Sequence, residues 1–297
     1  MDAVNGIILG KQREVQLAVA CLLARGHLLI EDIPGVGKTT LAQALARAFG
    51  LDYQRIQFTS DLLPADIIGA AIFQRETGAF VFQAGPIFAQ VILADEVNRA
   101  TPKTQSALLE AMEEKQVTVE GQTRALPEPF FVIATQNPLY QVGTFPLPES
   151  QLDRFLMRLD LGYPDSDAER ELLSGKDRRA MVADMKAQIS IEQLVELQGA
   201  VDAVHCSSAL LDYLQGILDF TRKDSHFRTG LSPRAGLSLR RAAQAWALLD
   251  GRNAVLPEDI QVVLPGVVGH RLRPREEDGE MSARAIAQLV IEALPIP

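Results

Sequence analysis

The chain has 297 residues, 47% of them hydrophobic and 23% charged, the balance of a globular protein with a sizeable core in one large domain or two moderate ones. Its net charge of −9 lowers the expectation of nucleic-acid binding, because gripping a phosphate backbone needs a strong local basic surface. No apolar run is long enough to span a bilayer and no charged-then-apolar leader pattern opens the chain, so no membrane span and a cytoplasmic location are expected.

Cys21 and Cys206 stand far apart, with no CxxC pattern and no Cys/His cluster near either, and read as small apolar residues. The four histidines are equally scattered, so no metal site built from protein nitrogen or sulfur is expected. In chain order, short apolar runs alternate with helical patterns, the signature of a parallel sheet wrapped by helices. The expected strands are His27–Ile30, Gln54–Phe58, Val91–Ala94, Phe130–Ala134 and Leu156–Leu161. The runs at Val91 and Phe130 are almost wholly apolar, as strands covered on both faces must be. Thr101-Pro102 caps and starts a helix in which Leu108 and Met112 repeat on one face.

Two hairpins interrupt this portion. One runs Ala71–Gln83 around Glu76-Thr77-Gly78, the other Val117–Leu126 around Glu120-Gly121. Pattern alone reads them as surface decorations. After Tyr163-Pro164 the pattern turns wholly helical. Ser166-Asp-Ala-Glu169 and Ser190-Ile-Glu-Gln193 read as capping boxes, and Ser232-Pro233 opens a helix carrying Leu239, Ala242, Ala243, Trp246 and Leu249 and stopped by Gly251. An α/β nucleotide-binding domain over 1–165 and an all-helical lid over 166–297 follow from this change.

The strongest local signal is Asp32-Ile-Pro-Gly-Val-Gly-Lys-Thr-Thr40, after an apolar strand and before a helical run. Binding a polyphosphate needs several backbone N–H groups aimed at one point, and Gly35 and Gly37 let the chain curl enough to aim them. Lys38 reaches the β- and γ-phosphates, the Thr39 hydroxyl joins Mg²⁺, and Thr40 stands near the α-phosphate. Asp32 departs from the general P-loop spacing, which has glycine there. A second element, Val91-Ile-Leu-Ala-Asp-Glu96, ends an apolar strand in two acids, poor core design unless both face a ligand. Asp95 is expected to hold the water shell of Mg²⁺, and Glu96 to polarise a water for attack on the γ-phosphate of ATP. Glu96 favours hydrolysis over phosphoryl transfer to a metabolite.

A third strand, in Phe130–Pro138, ends in Asn137, whose amide is expected beside the two acids, orienting the attacking water. Arg154, after Leu147-Pro-Glu-Ser-Gln-Leu-Asp153, is the candidate arginine finger given to a neighbouring subunit's ATP. Such a residue raises turnover by about 10³–10⁵-fold. Arg234, in Ser232-Pro-Arg234, lies in a helix first turn, where its charge opposes the dipole. That unfavourable placement suggests a purpose, contact with the γ-phosphate of its own subunit.

Together these elements resemble an AAA+ module, and the words between them resemble the MoxR family. The carriers are Phe58-Thr-Ser-Asp-Leu-Leu-Pro-Ala-Asp-Ile67, Ala94-Asp-Glu-Val-Asn-Arg-Ala-Thr-Pro-Lys-Thr-Gln-Ser-Ala-Leu-Leu-Glu110, Ala134-Thr-Gln-Asn-Pro138 and Gly143–Phe155. The resemblance spans nearly the whole chain, from Ile8-Leu-Gly10 to Ser232-Pro-Arg234, and Asp32 before Ile33–Lys38 suits this family. It implies a P-loop AAA+ core with a five-stranded parallel sheet and inserted hairpins, then a helical lid. It further implies Ile8 near the adenine, Val36 in the nucleotide loop, and ATP with Mg²⁺ between subunits of a homo-oligomeric, typically hexameric ring. Both hairpins would face the pore or partners, and Arg99 would serve at the subunit interface. Relatives of this kind commonly act with von Willebrand factor A domain proteins to remodel or activate a protein client.

Three other readings compete with a chaperone-class ATPase. A DNA motor or loader predicts a basic pore hairpin, but Val117–Leu126 carries only Arg124 against Glu120. A nucleotide-gated scaffold with little turnover has no use for Glu96 and Arg154. A metabolite kinase needs neither the lid nor an arginine given in trans.

Overall fold

The computed structural model describes residues 1–137, 143–175, 177–275 and 281–296. Pro138, which closes one of the motifs above, lies outside the described residues. The chain divides into two compact units, Met1–Val15 with Leu29–Arg154 and Asp160–Ile191, and Gln16–Leu28 with Phe155–Leu159 and Glu192–Pro297.

Five strands form one sheet: β1 (Leu28–Glu31), β2 (Tyr53–Gln57), β5 (Val91–Asp95), β8 (Phe131–Gln136) and β9 (Met157–Leu159), in the order β2-β5-β8-β1-β9. β5 pairs parallel with β2 on one side and β8 on the other. Every residue of β5 and β8 is buried. That explains their unbroken apolar reading, since alternation is needed only where one face meets water. Each fully buried Ile, Leu or Val in these strands contributes about 1.5–3 kcal/mol of transfer free energy. The cost of ending such strands in polar residues is borne at one rim, where Asp95 and Asn137 lie.

Helix α3 (Lys38–Ala48) follows β1, with α1 (Asp2–Asn5) packed on it. Helix α4 (Pro64–Ile68) leads straight into the hairpin β3 (Gly69–Gln74) and β4 (Ala79–Ala84), whose register pairs Ala71 with Phe82. The hairpin is longer than the expected Ala71–Gln83 and turns over Arg75–Gly78. Helix α5 (Pro102–Glu114) leads to the second hairpin, β6 (Gln116–Val119) and β7 (Gln122–Ala125). Thr101 does precede α5, but its hydroxyl pairs with the Thr104 hydroxyl at 3.2 Å and caps no backbone N–H.

Arg154 follows the short α6 (Glu149–Leu152), and α7 (Ser166–Ser174) and α8 (Arg178–Asp184) complete the first unit. The cap of α7 is Asp165, which accepts from the Ala168 N–H at 2.8 Å, one residue before the expected Ser166. A carboxylate is the better acceptor at the positive end of a helix. The second unit holds α9 (Ile191–Ala203), α10 (Ser208–Lys223), α11 (Pro233–Leu249), α12 (Pro257–Val268) and α13 (Ala283–Glu292). Ser232 caps α11 as its sequence predicts, accepting from the Ala235 N–H at 3.1 Å, and Leu239, Ala242, Ala243 and Trp246 form its buried stripe against α10 and α12.

Cys21 is fully buried, and burial pushes its thiol far above the ordinary range, consistent with an inert apolar role. Cys206 is half-buried, and its thiol too is raised by burial. Among the described residues no helix is long and apolar enough to cross a membrane, and no group of three or more His, Cys, Asp and Glu is placed to hold a metal by itself.

Candidate active site

The loop between β1 and α3 is built for an anion. Gly35 and Gly37 adopt φ of +89° and +95°, conformations that L side chains rarely take, and a Cβ at either would meet nothing within 4 Å. The backbone there faces open space. Gly37 caps α3 without a side-chain hydrogen bond, leaving the first N–H groups of an eleven-residue helix to a ligand. Val36 lies between the two glycines, and Thr39 and Thr40 follow in the first turn.

Asp32, which the general P-loop pattern does not predict, braces the loop. Its Oδ1 accepts from the Ile33 N–H at 2.8 Å and its Oδ2 from the Gly162 N–H at 2.6 Å. Its carbonyl accepts from Lys38 Nζ at 2.5 Å. Lys38 is buried at 8% exposure and also donates to Asn137 Oδ1 at 3.3 Å. Burial lowers the pKa of the Lys38 ammonium, against the opposing pull of Asp32, Asp95, Glu96 and Glu31. A buried cation ringed by acids, beside an open backbone cradle, fits the polyphosphate of a nucleotide.

The acids at the end of β5 are held by different partners. Glu96 adopts φ +57°, a left-handed conformation uncommon outside glycine. Thr135 of β8 joins them: its hydroxyl donates to Asp95 Oδ1 at 2.6 Å and accepts from the Glu96 N–H at 2.9 Å. Glu96 Oε1 accepts from Asn137 Nδ2 at 3.1 Å. Its Oε2 accepts from Arg99 at 2.9 Å and from Gln57 at 3.2 Å. Asp95 Oδ2 takes two N–H groups of Arg55, at 3.0 and 2.6 Å.

Lys38, Asp95, Glu96 and Asn137 therefore meet in one group, together with Arg55, Gln57 and Thr135, which the motifs did not single out. Arg99 sits on the acid of its own chain. Ile8 is buried just after α1, the helix that packs on α3. Arg154 is outside the group; its guanidinium donates to the Leu109 carbonyl in α5. Arg234 is exposed in the first turn of α11, in the second unit. The missed residues carried a readable signal. Arg55-Ile-Gln57 alternates polar and apolar on an edge strand, and Thr135 is a lone hydroxyl two residues before Asn137, on the same strand face.

A cavity of about 900 Å³ opens beside Thr39 and Thr40, lined also by Gln43, Tyr53, Arg55 and Arg179.

The family model for the ATPase family associated with various cellular activities (AAA) matches residues 27–157, and that for the AAA lid domain matches residues 219–289. Over its whole length the chain is 44% identical to the uncharacterized protein YeaC of Bacillus subtilis, covering 93% of that protein. It is 39% identical to the chaperone MoxR1 of Mycobacterium tuberculosis, over 99% of this chain and 80% of that one. The fold matches the crystal structure of a candidate ATPase from Cytophaga hutchinsonii with a TM-score of 0.89 and 38% identity, over 100% of this chain and 93% of that one. The chain belongs to the MoxR family of AAA+ ATPases.

Proposed function

We propose that the protein hydrolyses ATP to ADP and phosphate at the junction of subunits in a ring, and that this turnover drives chaperone-like remodelling or activation of partner protein complexes. The supporting observation is the chain of contacts from Lys38 through Asn137 to Glu96, which links a phosphate-binding cation to an acid placed to accept a proton from water. The backbone of Gly35–Thr40 and Lys38 would hold the phosphates, with Thr39 and Asp95 toward Mg²⁺. Bound there, the metal would neutralise charge developing on the phosphates.

A protein client and a von Willebrand factor A domain partner fit the exposed surface better than nucleic acid does. Phe73 and Phe80 are 51% and 71% exposed and stack edge-to-face at 5.3 Å on the first hairpin. Arg124, the cation of the second hairpin, lies over the Phe82 ring at 4.0 Å. A hexamer working in the cytoplasm is the corresponding assembly.

Lys38→Ala is expected to weaken ATP binding at least about 30-fold while the fold persists, since it removes a charge-assisted phosphate contact. Glu96→Gln is expected to bind ATP and fail to turn it over. Calorimetry and phosphate release measure both. Unchanged ATP affinity in Lys38→Ala, or normal turnover in Glu96→Gln, would overturn the assignment.

A further inference from the structure

We propose that Arg55 is a resident counter-cation of the acid pair, neutralising Asp95 while the divalent ion is absent and yielding that oxygen when a metal–nucleotide complex enters. The inference rests on the reading of Asp95 and the Lys38 loop as a metal–nucleotide site.

Arg55 and Gln57 lie two residues apart on β2, so their side chains share one face of the strand. The parallel register sets Gln57 opposite Asp95. Arg55 commits both Nε and Nη2 to one oxygen, Asp95 Oδ2, at 3.0 and 2.6 Å. Its Nη2 also reaches Gln57 Oε1 at 2.6 Å, and Gln57 passes the link to Glu96 Oε2 at 3.2 Å. The two acids are thus tied together through β2 as well as through Thr135.

The two oxygens of Asp95 differ in what holds them. Oδ1 takes a neutral hydroxyl from Thr135, which is compatible with a metal at the carboxylate. Oδ2 is held by a full positive charge. A divalent ion or its water shell needs a free lone pair there, and a guanidinium at hydrogen-bond distance both occupies the oxygen and repels the ion. Only one cation can sit at Oδ2.

The surroundings suit a cation that leaves. A structural ion pair is normally enclosed, because breaking it strands a buried charge. Here the Asp95 side chain is 11% exposed but that of Arg55 is 48% exposed. Arg55 also lines the cavity of about 900 Å³ that reaches Thr39, the other candidate metal ligand. The guanidinium has room and water to move into, while the divalent ion takes over the charge of Asp95. Without the metal, the same arginine offsets the repulsion that the two acids would exert on the phosphates.

The test uses the full chain with ADP, reading Mn²⁺ affinity by electron paramagnetic resonance and fluorescent-ADP affinity in Mg²⁺ or in excess EDTA. Arg55→Met and Arg55→Gln are each expected to tighten Mn²⁺ about tenfold and to widen the Mg²⁺/EDTA ratio of ADP affinities by a similar factor. Arg55→Lys, which keeps the charge, is expected to stay within about threefold of the parent. Both neutral variants are scored only when circular dichroism shows a native fold, and either one suffices. A neutral variant whose Mn²⁺ affinity is unchanged or weakened overturns the proposal, the latter meaning that Arg55 merely positions Asp95. Failure of the parent chain to bind ADP in either buffer would instead remove the nucleotide-site reading beneath it.

Discussion

Asn137 donates from Nδ2 to Glu96 Oε1 at 3.1 Å while its Oδ1 accepts from Lys38 Nζ at 3.3 Å. One amide, with its donor and acceptor on different atoms, therefore spans the cation and the acid, a task that neither a carboxylate nor an ammonium can perform. A single planar group thus links Lys38 to Glu96.

Asn137→Ala is expected to lower the turnover number about 10- to 100-fold with ATP affinity within about threefold of the parent, because the amide orients Glu96 more than it binds substrate. Steady-state phosphate release and calorimetry separate the two quantities. A loss confined to affinity would mean that the amide serves Lys38 alone.

Asp32→Ala should cost about 2 kcal/mol, since the carboxylate accepts from the backbone N–H groups of both Ile33 and Gly162. ATP affinity should fall with it, as the loop entrance loses its brace. Asp32→Asn keeps acceptor capacity on one oxygen and should fall between the two. Denaturant titration supplies the stability scale; equal midpoints for Asp32→Ala and the parent would contradict the bracing role.

His270 is buried, with its ring nitrogen Nε2 3.0 Å from the Phe155 carbonyl. Burial first, and then the neighbouring charge of Arg271, lower its pKa well below the ordinary histidine range. The folded protein keeps the ring neutral, while the unfolded chain takes up a proton near pH 6.5. Stability contributed by the neutral ring is therefore full above that pH and lost as pH falls below it toward the folded pKa. Between pH 7.5 and 5.5 the loss should be about 1 kcal/mol. Melting of the parent and of His270→Leu at both values tests this: the parent should drop more on acidification, and parallel shifts would rule it out.

Arg154 touches the Leu109 carbonyl of its own chain and no member of the Lys38–Asn137–Glu96 group. A phosphate belonging to an adjacent subunit is then the expected target. Arg154→Ala and Glu96→Gln should each be nearly inactive, and mixing them should restore ATPase activity where an intact Glu96 meets an intact Arg154. Sizing with ATP present verifies that mixed assemblies form. If they form and activity stays at the sum of the two singles, Arg154 does not act in trans.

What the sequence determined by itself lay in contiguous stretches. The apolar runs at Val91 and Phe130 announce buried strands because a strand covered on both faces has no alternation to hide. The glycines before Lys38 announce a positive-φ loop because few other residues adopt it. Chain order put Asp95, Glu96 and Asn137 at strand ends, and strand ends of a parallel sheet share one rim. The wholly helical pattern after Tyr163-Pro164 was equally local, whereas residues 160–191 pack with the first unit, which no change of pattern marks. Tertiary structure alone decided that Arg55 and Gln57 meet the two acids. Those contacts span 40 residues for Arg55 to Asp95 and 39 for Gln57 to Glu96, and they depend on β2 pairing in register with β5, where a one-residue slip would turn both side chains to the other face. The same holds for Asp32 and Gly162, 130 residues apart, where a backbone N–H is the partner and carries no side-chain identity to read.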